Sequence, residues 1–230
     1  MKKLVIIFLI ITGLWQISKS TEFQFFGELI SHGNRFEKVV ALTFDDGPMP
    51  QYTEKVLSML AERRIKATFF VVGEELARSP YLTAEILRGG HQLGNHSYTH
   101  KRMLLKSPSF VADEIEKTNK LIKKAGFEEQ IYFRPPYGKK LFTLPYYLDQ
   151  QNMTSVTWDV DPGSALPEEA SARQIADYVI KEAQNGSIIL LHVMFVTRKN
   201  ELAAVPMIIE GLKELDFEFV TVDELLAAER

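Results

Sequence analysis

Two adjacent carboxylates, Asp45 and Asp46, close an apolar run at residues 39–44 and are followed by Gly47-Pro48. Like charges side by side at a strand end repel each other and contribute nothing to packing, so the pair points to a site. His96 and His100 stand at i and i+4, a spacing that puts both imidazoles on one side of a helical turn, where they can converge on one ion. Two histidines and one carboxylate make a facial triad with open positions for water and substrate. Either Asp45 or Asp46 completes it, and the other is then free to act as a base beside water acidified by the cation. The chain has no cysteine, so thiolate ligands and disulfides are excluded.

Three further segments carry candidate chemistry. In Phe133-Arg134-Pro135-Pro136-Tyr137-Gly138 two prolines fix φ after an arginine, giving a stiff loop suited to presenting a guanidinium or a backbone N–H at a set place. Trp158-Asp159-Val160-Asp161 is a strand running into carboxylates, which taken alone reads as a solvated acidic turn. In Ile188-Ile189-Leu190-Leu191-His192 a strongly apolar strand ends in a histidine. An aspartate hydrogen-bonded to that imidazole would fix its tautomer, raise its pKa and make it a proton donor.

These segments need a scaffold that brings strand ends together. Short apolar runs at residues 39–44, 67–72, 91–95, 131–133, 155–160, 187–192 and 217–222 read as strands. Amphipathic stretches at 51–64, 83–88, 110–125, 172–184 and 202–215 read as helices between them. About seven strands alternating with helices imply a parallel α/β sheet, either a barrel or an open doubly wound sheet, with sites at the C-terminal strand ends. At 230 residues, 46% hydrophobic and 25% charged, the chain has an ordinary globular composition. The net charge of −3 gives no reason to expect a nucleic-acid or anionic-membrane partner.

The N-terminus reads differently. Met1-Lys2-Lys3 precedes an apolar run from Leu4 to Trp15, and Ser18-Lys19-Ser20 offers small residues where a signal peptidase cuts. The run is shorter than the roughly 20 residues that span a bilayer. The expectation is an exported chain: residues 1–20 a cleaved signal peptide, 21–38 a lead-in and 39–230 one catalytic domain. Membrane contact then depends on the segment staying uncleaved.

Order and wording together resemble one family, the polysaccharide deacetylases of carbohydrate esterase family 4. The resemblance rests on "TFDDGP", "HSYTH", "RPPYG", "WDVD" and "LLH", from Thr43 to His192, and on the tail "VPMIIEGLKELDFEFVTVDELL". It implies an irregular (β/α) barrel and orders the carboxylates, with Asp45 as general base and Asp46, His96 and His100 as ligands of a divalent metal. Zinc is the usual cation in the family, and cobalt, nickel or manganese suit the same donors. Arg134 matches the arginine that orients the base, Tyr137 the residue whose backbone N–H holds the oxyanion, and Leu190 the wall around the acetyl methyl. Trp158 belongs to the substrate-binding motif, His192 matches the catalytic histidine and Asp161 its partner. Many members continue "WDVD" with Ser-x-Asp-Trp and place an aspartate after the final histidine; this chain has Pro162-Gly163-Ser164-Ala165 and Val193 there.

The activity this implies is removal of N-acetyl groups from GlcNAc-containing glycans, peptidoglycan or chitooligosaccharide, with release of acetate. O-deacetylation of a polysaccharide such as xylan is one alternative, and a non-catalytic glycan-binding protein another. The partner expected is a glycan, with no nucleic acid and no stable protein partner.

Overall fold

The computed structural model describes residues 2–227. Helix α1 (Lys2–Ser18) leads into β1 (Leu29–Ile30), β2 (Val39–Gly47), α2 (Tyr52–Arg63), β3 (Thr68–Val71), α3 (Gly73–Arg78), α4 (Pro80–Arg88) and β4 (Gln92–Asn95). Then come α5 (Pro108–Lys124), a 3-10 turn at Pro136–Gly138, α6 (Thr143–Gln150), β5 (Ser155–Val156), α7 (Pro162–Ala165), α8 (Ala172–Glu182) and β6 (Ser187–Leu191). A second 3-10 turn, α9 (Lys199–Glu214), β7 (Glu218–Val220) and α10 (Val222–Ala227) complete the order.

The ladders between these strands are parallel, as the alternation of strands and helices implies, and one isolated antiparallel bridge joins His32 to Ser187. Strand β2 is central: β6 lies along one edge, while β7 and then β3 share the other, with β4 beyond β3. The expected barrel is not closed by continuous ladders. From β4 the sheet continues through a single residue, Phe133, which bridges Asn95 on one side and Ser155 on the other. From β6 it continues through a single bridge between Val160 and Ile189. The runs at 131–133 and 155–160 are therefore shorter as strands than their composition suggests. Pro135 and Pro136 end the first, and the second leaves the sheet after Val156. The lead-in is part of the fold, since Leu29 and Ile30 pair with Ser155 and Val156.

Strand side chains alternate between two apolar clusters. On β2, Val40, Leu42 and Phe44 point to the helical side with Ile189, Leu191 and Ile208. Ala41 points inward with Phe70, Tyr132, Val156 and Ile188, where α10 closes the end through Val222, Leu225 and Leu226. Carrying the alternation toward the C-terminal ends puts Thr43 and Asp45, Leu190 and His192, and Gly94 and His96 on the inner face. A Cβ at Gly94 would sit 2.5 Å from the Phe70 ring, so only glycine lets β3 and β4 approach there.

Candidate active site

Strict alternation would send Asp46 to the opposite face from Asp45, into the helical core. A bulge prevents this: the register with β3 slips between Asp45 and Gly47, and Asp46 takes φ 73°. Aspartate tolerates that left-handed conformation better than most residues. The extra residue brings both carboxylates into one cleft.

The histidines converge for a different reason from the one their spacing suggested. Residues 96–100 form no helical turn; Ser97 (φ 66°) and His100 (φ 54°) are left-handed loop residues. Buried Glu114 on α5 holds the loop. Its carboxylate accepts from the N–H groups of Tyr98 (3.1 Å) and Thr99 (2.8 Å) and from the Thr99 hydroxyl (2.8 Å). Asn95 Oδ1 accepts from Ser97 N–H at 2.8 Å. The sequence reading missed Glu114, whose signal was a carboxylate beside Val111, Ile115, Thr118 and Ile122 on the buried side of α5.

Within the cleft His100 Nε2 lies 3.0 Å and His96 Nε2 3.5 Å from Asp46 Oδ1. The ligand atoms of Asp46, His96 and His100 all fall within 4.8 Å of one another. His96 Nδ1 sits 2.8 Å from the carbonyl of Arg134. A carbonyl only accepts, so the proton is on Nδ1 and the Nε2 lone pair faces Asp46. Asp46 Oδ1 is buried without a hydrogen bond. Two imidazole nitrogens around one such oxygen make three donor atoms that fit a divalent cation. Burial alone would raise the Asp46 pKa, but the contact with His100 and the charges of His96, His192 and His100 hold it at about 2. Burial pushes His96 down, against the pull of Asp45.

Asp45 has a different environment. Arg134, fully buried, donates from Nη1 to Asp45 Oδ1 (2.7 Å) and Thr43 Oγ1 (2.8 Å), and from Nη2 to the Thr157 carbonyl (2.9 Å). Its Cζ stacks 3.9 Å from the centre of the Phe70 ring. Burial lowers the Arg134 pKa while Asp45 opposes that shift. Asp45 Oδ2 is left facing the cleft, 3.5 Å from His96 Nε2.

The cleft encloses about 330 Å³ and includes Tyr137, Trp158, Asp161, Leu190 and His192 besides the ligand group. Tyr137 is left-handed (φ 58°), and the hydrogen bonds of its turn, Gly138 N to Pro135 O and Lys139 N to Pro136 O, leave its own N–H out. Its ring lies 4.8 Å from that of His100. Asp161 reaches the cleft but is not bonded to His192. It caps α7, accepting from Ser164 N–H (3.2 Å) and Ser164 Oγ (2.5 Å). The carboxylate at His192 is Glu201, buried on α9, which accepts the His192 main-chain N–H at 2.7 Å and pairs with Arg198 at 3.1 Å. Burial raises the Glu201 pKa. Asp159, the other carboxylate of that segment, pairs with Arg35 at 2.9 Å.

Similarity to known proteins follows this geometry. The profile of the family described as polysaccharide deacetylase matches residues 32–156. A peptidoglycan-N-acetylglucosamine deacetylase of Bacillus cereus is 34% identical over 190 residues, covering 83% of this chain and 89% of that protein. Among solved structures, the Bc1960 peptidoglycan N-acetylglucosamine deacetylase superposes with a TM-score of 0.81 at 31% identity, covering 86% of this chain and 92% of that one. BA3943, a CE4 family pseudoenzyme from Bacillus anthracis, superposes with a TM-score of 0.76 at 26% identity, covering 86% and 68%.

Proposed function

This chain belongs to the polysaccharide deacetylase family, and we propose that it is an exported, metal-dependent hydrolase removing N-acetyl groups from GlcNAc-containing glycans. Peptidoglycan and chitooligosaccharides are the substrates we assign, and the interrupted ring of strands is an irregular barrel. The observation that carries the reading is the meeting of Asp45, Asp46, His96, His100 and His192 in one cleft. A pseudoenzyme on the same fold is the contrasting case, and the convergence of these five side chains supports the catalytic reading here.

Asp46, His96 and His100 would hold the cation, zinc by preference; bound there it polarises the acetyl carbonyl and acidifies adjacent water. Asp45 Oδ2 takes the proton of the attacking water, while Oδ1 stays pinned to Arg134, so the base is held in one orientation. The Tyr137 N–H donates to the developing oxyanion, a contribution of about 3–4 kcal/mol per preorganised donor. Leu190 packs against the acetyl methyl and Trp158 against the sugar. An amine leaves poorly unless protonated, and His192 gives it the proton from the other side of the cleft. Glu201 holds the His192 backbone in place, and Asp161 lines the same cleft without a bond to the imidazole.

Acetate release from chitopentaose, peptidoglycan and acetylxylan by zinc-loaded protein tests this, with Asp45→Asn as control. Release from either amide substrate, abolished in the control, is expected. Release from acetylxylan alone would make the protein an esterase, and none at all would leave a non-catalytic binder.

A further inference from the structure

We propose that the N-terminal helix stays attached to the folded protein and embeds in a lipid bilayer, with an aromatic patch beside it at the headgroup level, so that the cleft works at a membrane surface. The inference rests on contacts at the root of α1 and on two kinds of exposed apolar surface, and it stands apart from the deacetylase reading.

The junction expected to be cut is built into the fold. Ser18 is buried, and its carbonyl accepts from Lys140 N–H at 2.9 Å. The Ser20 carbonyl accepts from Lys140 Nζ at 2.5 Å, and the Thr21 carbonyl from Thr157 Oγ1 at 2.6 Å. Lys140 is 1% exposed, and burial together with Lys139 pushes its ammonium down to about 8. Cutting after Ser20 would remove that ammonium's acceptor. It would also create an α-ammonium at Thr21, one bond from the carbonyl carbon that now faces Lys140, setting two cations together. Lys140 follows Tyr137 by three residues, so the same contacts brace the loop that carries Tyr137.

The helix itself is apolar on all sides. Residues 4–11 are consecutive, span two turns and are each 52–71% exposed. A helix that docks on a protein or lies in an interface has one apolar face; one that is apolar all round requires an apolar surround. Lys2 and Lys3 flank it at one end and Lys19 at the other, with Trp15 between, where lysines can snorkel and tryptophan prefers the interface. Among the described residues no helix is long and apolar enough to cross a membrane. The proposal is therefore one of embedding. Beyond the helix, Phe23, Phe25, Phe26, Phe142 and Tyr146 are exposed and make ring contacts in two groups: Phe25 stacks on Phe142 at 4.9 Å and meets Phe23 edge-on at 5.6 Å, and Phe26 lies edge-on to Tyr146 at 5.5 Å. Exposed aromatics paired in this way mark an interaction surface, and Phe142 follows by two residues the Lys140 that grips the root of the helix, so we assign them to an interfacial belt there.

Two measurements test this on the full chain. Exported from a bacterial host, the protein should remain in the membrane pellet after an alkaline carbonate wash, with an intact mass that includes residues 1–20. A soluble chain starting at Thr21 would overturn the proposal, and an uncut chain released by carbonate would overturn its lipid part. Purified in detergent, the full chain should float with phosphatidylglycerol–phosphatidylethanolamine vesicles. In the Trp158→Phe protein, which leaves Trp15 as the sole tryptophan, brominated lipid should quench fluorescence. Phe25→Ser with Phe142→Ser should weaken vesicle binding by about tenfold or more, since each ring is a little under half exposed and the pair together is worth at least one decade. Absence of flotation, or no effect of the paired substitution, would refute the lipid-facing surface whatever the activity proves to be.

Discussion

Asp45 and Asp46 stand at equal distance from one imidazole, 3.5 Å each from His96 Nε2, yet face different partners. Asp45 is tied to Arg134 at 2.7 Å, Asp46 to His100 at 3.0 Å. A carboxylate already committed to a guanidinium has one oxygen left for a proton; a carboxylate among histidine lone pairs is a ligand. Asp46→Asn should therefore weaken zinc binding by more than the roughly 10–100-fold that follows loss of an outer partner. Asp45→Asn should bind zinc nearly as the parent does and lose about 10²–10⁴-fold in kcat. Chelator competition and acetate release separate the two, and equal zinc loss in both would reverse the assignment.

The Arg134–Asp45 pair is wholly buried, with side-chain exposures of 0% and 2%. Removing one partner leaves the other charge uncompensated, at a cost of about 3–5 kcal/mol. Arg134→Met should lower stability by that amount in urea unfolding. Adding Asp45→Asn should restore part of it, because the stranded charge goes too. Simple additivity of the two substitutions would show that the pair is not coupled.

Glu114 makes no contact with the proposed cation, yet it accepts the N–H groups of Tyr98 and Thr99 that shape the loop before His100. Glu114→Ala strands those donors, each worth about 1–3 kcal/mol, and lets His100 drift. Zinc affinity should fall by about 10–100-fold, with Glu114→Gln intermediate because it keeps one acceptor. Unchanged affinity in the alanine protein would mean that the left-handed turns at Ser97 and His100 hold the loop unaided.

Much of this arrangement is legible in the sequence because period-2 alternation is local. The inward positions Asp45, Leu190, His192 and His96 follow from where each strand begins. What is not legible comes from departures from that period. The bulge at Asp46 moves a side chain across the sheet; Asp46-Gly47 signals a turn, but not that the register with β3 slips within the strand. The spacing of His96 and His100 suits a helix, but two left-handed residues and a buried glutamate 14 residues beyond His100 achieve the same convergence in a loop. Asp161 lines the same cleft as His192, but a serine three residues on captures its carboxylate, and Glu201 arrives from a separate helix. Local pattern fixes the face a residue points to; the partner it finds there depends on packing between distant elements.

His91 lies outside the site and sets a pH dependence of stability. It is buried, and Ala67 N–H donates to its Nδ1 at 3.2 Å, a bond that needs the neutral ring. Burial, and then the charge of Lys66, lower its pKa from 6.5 to about 4. As pH falls through 6.5 the unfolded chain protonates His91 and the folded chain does not. The unfolded state therefore binds more protons in the window from 6.5 to about 4, and stability falls with pH across it. The loss between pH 7.5 and 4.5 from this residue should be about 2–3 kcal/mol. Urea midpoints measured with chelator present, so that metal release contributes nothing, should show a shallower decline for His91→Gln than for the parent. Parallel declines would mean that His91 takes its proton in the folded state as readily as in the unfolded one, with its bond to Ala67 given up at little cost.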